Sequence, residues 1–478
     1  MLAPSELKPT DEQIYILDLI KKGERKLQIK ALAGTGKSST LKMIDKTLRD
    51  NVLYLVFNTR NAKEAIESGE FRDSTRIKTI NGCGHGVWAN HVGKVIIDEK
   101  KSPKTRQLFY SHLQTLERSA QNEAWEEWYN VRQAVSLAKA LGYVPPGKFP
   151  NTSGLCDWIS VSNACDEPLT PLARELTDAV LALSIKTAFK GFIDFDDQVY
   201  MSALWARTFP RFPMVMGDET QDFSPINHAF LSKLVDGGFL SVGDDNQSIY
   251  GFRGAMPGSM AKLKDHFRMS ESDLSISFRC SQAIVESVRW RVPHFKWIKP
   301  GGIVSEIDRP SLSGILNNSA IICRNNAPLF RLAIRLLSAG RAVRVHGSDM
   351  GPRVAGIMKK LGPENMSRDS VMSAIEDWEG EHLEKGSKTA SDVAECMRVF
   401  ASHGATLAHA LVYVREIFKQ DGSIELLTGH KAKGMEWDRV YFLDPWLIGE
   451  GEQELNLRYV IMTRAKQELY MLNSKEIQ

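Results

Sequence analysis

Short runs of consecutive apolar residues recur along the chain, separated by segments with helical spacing. LQIKAL (27–32), VLYLVF (52–57), FPMVM (212–216), GFLSVG (238–243), SAIICR (319–324), AVRVHG (342–347), IELLTG (424–429), RVYFLD (439–444) and ELYML (468–472) have the length of strands buried on both faces. Their alternation with helix-length segments predicts an α/β chain, with parallel strands joined by crossover helices. The runs fall into two blocks, 27–85 plus 212–250 and 319–347 plus 424–472. The simplest organisation is two sheet domains, each carrying an insertion. Residues 105–190 lack strand runs and read as helical, as in NEAWEEWYNVRQAVSLAKALG, where Trp125 and Trp128 are expected in a core. Residues 351–420, with polar spacers such as EHLEKGSKTASD, read as a second, smaller helical insertion.

Composition adds bounds rather than detail. The 478 residues suggest about three domains. Apolar residues make up 43% and charged residues 25%, so the chain can bury an ordinary globular core. A net charge of +3 neither requires nor excludes a basic groove for nucleic acid. The stretch MLAPSELKPTDEQ has no charged-then-apolar leader pattern, and no apolar run approaches the ~18 residues of a membrane span, so neither secretion nor membrane spanning is expected. An intracellular, cytoplasmic, DNA-associated protein with no membrane partner is expected. The six cysteines form no C-x-x-C pair, so reduced thiols and no zinc or iron–sulfur site are expected.

The chemistry concentrates at strand ends. ALAGTGKSS (31–39) follows one strand and opens a helix-like TLKMIDKTL. Apart from Ala31 at the first glycine position, it fits the phosphate-loop pattern. In such a loop Ala33, Gly34, Thr35 and Gly36 offer backbone N–H groups. Lys37 supplies a point charge, Ser38 a ligand for Mg²⁺, and Ser39 follows at the helix start. ATP and Mg²⁺ are the cofactors implied. A phosphate loop needs a distal acid and a group to position water. VIIDEKK offers Asp98 and Glu99 but runs into the cationic KKSPKTR, and a surface turn is expected there. GDETQDFSP (217–225) follows MVM, and SVGDDNQS (241–248) ends the next strand. This pair of polar strand ends assigns Asp218 to Mg²⁺ and Glu219 to the water, with Gln247 sensing the γ-phosphate. Arg279 and Arg464, distant in sequence, are candidates to stabilise charge on the transferring phosphoryl group.

An ordered series of motifs then resembles the UvrD/Rep-type superfamily 1 DNA helicases. TDEQ (10–13) resembles the Q motif and ALAGTGKSS motif I. VFNTRNAKEA (56–65) resembles motif Ia and IKTINGCGHG (77–86) motif Ib. GDETQDFSP resembles motif II and GDDNQSIYGFRGA (243–255) motif III. SISFRCSQAIV (275–285) resembles motif IV, LLTGHKAKGMEWDRVYFLD (426–444) motif V and LRYVIMTRAK (457–466) motif VI. The resemblance spans residues 10 to 466. It implies two RecA-like domains, 1–85 with 191–270 and 271–350 with 421–478, binding ATP between them. It also implies a helical 1B subdomain at 86–190 and a reduced 2B at 351–420. By resemblance Gln13 reads the adenine edge, Phe278 stacks on the adenine, and Glu436 touches the ribose or couples the domains. Phe57, Tyr250 and Phe252 would stack on bases of single-stranded DNA. Asn58 in motif Ia, Thr79, Thr428, His430 and Lys431 would meet the strand, chiefly at phosphates. Arg253 would link the strand to the nucleotide.

The sequence also departs from the family pattern. Motif Ib has Thr79-Ile80-Asn81 where relatives often have T-x-H, and Phe252 stands where many have Trp. The interval before motif V is short, and the chain ends soon after motif VI, so no interaction tail or nuclease domain is expected. The expected activity is ATP-driven translocation on single-stranded DNA, 3′→5′ by resemblance, with unwinding at single-strand/duplex junctions. The expected protein is a monomer in isolation, working beside single-strand-binding, replication or recombination proteins. Three alternatives remain open: a translocase that strips proteins without unwinding, a nucleotide switch not acting on DNA, and an RNA strand in place of DNA.

Overall fold

In a computed structural model, residues 8–56, 58–98, 104–347 and 350–478 are described. They form two compact units, the first running up to Leu32 and then over Gly36–Leu274, the second comprising Ala33–Thr35 and Ser275–Gln478. Each unit is built on a six-stranded sheet.

In the first unit the strand order is Arg76–Thr79, Val52–Val56, Phe212–Gly217, Val235–Gly243, Lys26–Ala31, Ser270–Leu274, and every pairing is parallel. The inner strands are the apolar runs; all five residues of Val52–Val56 are buried. One face carries Ile16, Ile20, Leu41 and Ile44 from the N-terminal and post-loop helices. The other face shares a core with the insertion helices, including Trp88, Val131, Leu137 and Val180. Covering both faces is what a parallel sheet requires, since crossover helices must land on them. The edge strands RIKT and SESDL escaped the pattern of apolar runs because an edge strand is only half covered. Ser270–Leu274 pairs with Lys26–Ala31, so the first unit runs four residues past the expected 270. Trp125 and Trp128 pack on the buried Phe109 at ring distances of 5.4 and 4.9 Å. Ile96–Ile97, which precedes Asp98, pairs only with Phe192–Ile193 in a separate two-stranded sheet. Asp98 therefore does not end a strand of the main sheet.

In the second unit the order is Ile303–Glu306, Ala465–Leu472, Trp437–Leu443, Ser319–Cys323, Ile424–Thr428, Val343–Val345, again all parallel. The segment expected as a reduced 2B forms four helices, Met350–Leu361, Arg368–Glu384, Ala390–Ser402 and Leu407–Glu416. Their Val354, Met358, Val371, Phe400 and Leu411 belong to the same core as Ile321, Leu426 and Tyr441 of the sheet. They form a layer on this sheet rather than a body with a core of its own. Both units are RecA-like α/β sheets flanked by helices. Among the described residues no helix is long and apolar enough to cross a membrane.

Candidate nucleotide site and nucleic-acid face

The phosphate loop joins the strand Lys26–Ala31 to the helix Lys37–Thr47. Gly36 caps that helix at φ +78, a left-handed conformation that favours glycine. Having no side chain, it leaves the first helical N–H groups to an external acceptor. Gln13 lies beneath this turn and is buried. Its Nε2 donates to Thr40 Oγ1 at 3.0 Å, and Thr40 Oγ1 donates to the Gly36 carbonyl at 3.0 Å. Gln13 Oε1 also accepts from the Thr10 N–H, completing a capping box. The structure thus uses this amide to brace the loop, a role that the Q-motif resemblance did not include. Ser38 and Ser39 are exposed at the helix start. Ala33 and Gly34 are held within the second unit, where Ser277 Oγ donates to the Ala33 carbonyl (3.1 Å) and the Phe278 N–H to the Gly34 carbonyl (2.8 Å).

Strand register brings the acids to Lys37. Phe212–Gly217 lies between Val52–Val56 and Val235–Gly243, so Asp218 and Asp244 emerge at the same sheet edge. Lys37 Nζ pairs with Glu219 Oε1 at 3.0 Å. Glu219 Oε2 accepts from Gln221 Nε2 (2.5 Å), and Gln221 Oε1 accepts from the Asp244 N–H (3.1 Å). Asp244 Oδ2 in turn accepts from Gln247 Nε2 (2.6 Å). Gln221 is fully buried, and a Cβ on Gly243 would lie 2.3 Å from its Oε1. Gly243 is therefore the residue that lets this amide bridge the two strand ends. Glu219 itself has φ +52, strained for a non-glycine residue, which aims its carboxylate back at Lys37.

The buried charges of the site perturb one another. Burial, then the adjacent Glu219 carboxylate, push Asp218 up to about 6. Burial works to lower Lys37, but Glu219, Asp218 and Asp244 outweigh it and hold its pKa above the ordinary value. Burial also raises Asp244. A buried acid that resists ionising beside a cradle of N–H groups fits Mg²⁺ with a nucleotide phosphate, and Ser38 and Asp218 are the residues that would hold the metal.

Tyr54 was missed from sequence. It sits in the middle of VLYLV and donates its hydroxyl to Asp218 Oδ2 at 3.1 Å. One polar-tipped residue in an otherwise aliphatic inner strand was the available signal. Tyr54→Phe removes a bond that favours the Asp218 carboxylate, so the acid limb of the ATPase pH profile should move to higher pH. An unmoved limb would refute this. Behind the same turn, His228 Nε2 meets Ser259 Oγ (2.9 Å), which donates to the Thr220 carbonyl (2.6 Å). Burial, then Lys262 and His266, push His228 down to about 4. The folded state therefore refuses a proton that the unfolded state takes. Stability present above pH 6.5 should fall by roughly 3 kcal/mol as pH drops through 4. Denaturant titrations of wild type and His228→Gln should show that loss only in the wild type.

The strand-contacting candidates of the first unit lie on helix starts and one loop. Asn58 caps Thr59–Glu67 and Thr79 caps Ile80–Val92, each accepting a backbone N–H. Asn81 donates to the Phe195 carbonyl at 3.0 Å. Phe195, 63% exposed between Asp194 and Asp196, is a further ring on this face; an aromatic flanked by acids in FIDFDD is its signal in the sequence. The Arg253 guanidinium lies over Tyr250 (5.4 Å) and Phe252 (5.5 Å), and Phe252 is 44% exposed. Phe57 lies outside the described residues.

In the second unit Arg279 Nε pairs with Glu436 Oε2 at 2.5 Å. Arg464 is buried, its guanidinium donating to the carbonyls of Val460 (2.9 Å) and Met435 (3.2 Å) and to Thr463 Oγ1 (3.3 Å). A motif read as a line of letters cannot reveal that these carbonyls hold the Arg464 side chain. Thr428 ends a sheet strand, and His430 and Lys431 follow it, half-buried, on the short helix Gly429–Ala432.

The UvrD/REP helicase N-terminal domain model matches residues 16–268, more than half of the chain, and the UvrD-like helicase C-terminal domain model matches residues 423–472. The chain belongs to the UvrD/REP helicase family. Among curated relatives of this family member, F-box DNA helicase protein 1 of Schizosaccharomyces pombe is 23% identical over 97% of this chain and 57% of its own length. F-box DNA helicase 1 of Gallus gallus is 25% identical over 99% of this chain and 50% of its own length. DNA helicase IV of Escherichia coli is 26% identical over 55% of this chain and 44% of its own. The chain thus spans about half the length of the curated relatives it matches.

Proposed function

We propose that this UvrD/REP family member is an ATP-dependent DNA helicase, translocating 3′→5′ on single-stranded DNA and unwinding duplex at junctions. One observation carries the reading: the continuous path Lys37–Glu219–Gln221–Asp244–Gln247, which ties the phosphate loop to the strand end leading into the Tyr250–Arg253 loop. Magnesium-bound ATP would supply the phosphoryl group and a divalent charge. Lys37 and the Gly36–Ser39 helix start would bind its phosphates. Glu219, an acceptor with two engaged oxygens, would orient and deprotonate the attacking water. Gln221 would report the state of Glu219 to the motif III loop, where Tyr250, Phe252 and Arg253, with Phe195 beside motif Ib, would stack on bases. Arg279 and Arg464 would answer the charge on the transferring group, and Thr79, Thr428, His430 and Lys431 the strand phosphates.

The layer of four helices on the second sheet favours a second reading, a translocase that strips bound proteins without unwinding, because that segment has no independent core with which to engage a duplex. The test is ATPase activity with and without single-stranded DNA, followed by directional translocation and strand displacement on tailed duplexes. Absence of DNA stimulation would overturn the reading. Translocation without strand displacement would select the second.

A further inference from the structure

The helix Trp128–Leu141 of the insertion reaches the motif III loop at Gly254. Gly254 has φ +83, and a Cβ placed there would lie 2.8 Å from Ala140 Cβ and 3.7 Å from Leu137 Cδ2. Within the loop the Arg253 N–H donates to the Tyr250 carbonyl (2.9 Å) and the Gly254 N–H to the Gly251 carbonyl (2.9 Å). Just beyond, the Met256 N–H donates to the Phe223 carbonyl (3.0 Å). The helix therefore presses on the backbone next to Arg253, whose guanidinium packs both rings.

This stretch of helix is itself fixed. Lys139, beside Ala140, is 1% exposed, with its ammonium 2.5 Å from Asp194 Oδ2 and 2.9 Å from Asp197 Oδ1. Lys104 holds the same Asp197 at 2.6 Å, and Ser136 Oγ donates to Asp196 Oδ2 at 2.6 Å. Sliding the helix would leave a buried charge without its partner, which is strongly unfavourable. Leu137 and Ala138 are buried in the core at the same level.

We propose that Ala140 is a positioning residue for the strand-binding loop: with Leu137 it sets Gly254, and through Gly254 the aim of Arg253 and Phe252. The proposal rests on the reading that this loop contacts single-stranded DNA. A larger side chain at 140 would displace Gly254 directly, because space for a single Cβ is already lacking between them. The loop begins at the Asp244 end of the path from Lys37, so the defect would be read in the response of ATP turnover to DNA.

The experiment measures ATPase activity against a dT oligonucleotide for wild type, Ala140→Leu, Ala140→Gly, Phe252→Ala and the double variant Ala140→Leu/Phe252→Ala, with thermal midpoints of each. Ala140→Leu should raise the half-saturating dT concentration about tenfold, the scale of losing one stacked base, with DNA-free turnover unchanged. Ala140→Gly, which adds no bulk, should shift it in the same direction by a few-fold, and it decides the matter if the leucine variant does not fold. The double variant should need less dT than the two single losses multiplied together predict, because part of the effect of Ala140 runs through the Phe252 ring. Unchanged half-saturation in a folded Ala140 variant, or strictly additive losses in the double variant, would overturn the proposal. Wild type unstimulated by dT would instead defeat the functional reading on which it rests.

Discussion

Lys37→Ala is expected to abolish DNA-stimulated ATP hydrolysis, a loss on the order of 10²–10³-fold or more, since it removes the ammonium that pairs with Glu219 and faces Asp218 and Asp244. Steady-state ATPase assays check this, and retained DNA-stimulated turnover would sink the assignment of the loop. The structure adds a second signature. Folded Asp218 stands at about 6 against an ordinary 3.8, raised by burial and by Glu219, while Lys37 works to lower it. A carboxyl whose pKa is raised by folding contributes stability below about pH 4 and loses it as pH rises through 6. Without Lys37 the Asp218 pKa climbs further and the repulsion from Glu219 goes unanswered. The thermal midpoint of nucleotide-free Lys37→Ala should therefore fall below wild type more at pH 8 than at pH 4.5. An equal deficit at both would show that Lys37 does not neutralise these acids.

Glu219→Gln should retain ATP binding and lose turnover by roughly 10²–10⁴-fold, the range set by removal of a general base. The geometry explains why an isosteric change is severe. Glu219 accepts from Lys37 on one oxygen and from Gln221 on the other. An amide can accept on one side only and must turn an NH₂ toward the other donor. The substitution thus removes the base and breaks one of two links, to Lys37 or to Gln221. Nucleotide-binding titrations alongside ATPase assays separate the effects. Loss of binding in proportion to turnover would make Glu219 a binding residue rather than one acting on the water.

Much of the sheet architecture was legible because buried parallel strands leave continuous apolar runs. Val52–Val56 and Ser319–Cys323, buried along their whole length, stood out at once. Ser270–Leu274 did not, because an edge strand alternates and SESDL exposes most of its residues. The candidate site was legible where it is local. The loop ALAGTGKSS and the acids of GDETQDFSP declare themselves by residue type and by following strands. Its bracing was not. Gln13 reads as an adenine contact by resemblance, and its bonds to Thr10 and Thr40 are visible only in the fold. Arg464 reads as a candidate to stabilise charge on the transferring group, and the three bonds that hold its guanidinium to Val460, Met435 and Thr463 are written nowhere in its motif.

The sequence by itself determined the α/β class, the phosphate loop, the acid-bearing strand ends and the family pattern, because each is written in residue type over a few adjacent positions. Only the tertiary structure decided which groups meet. Tyr54 reaches Asp218 across 164 positions, Ala140 meets Gly254 from another helix, and Gln221 spans two strand ends because Gly243 offers no side chain. Those meetings depend on strand register and helix packing, which many distant contacts set together and no short stretch of residues records.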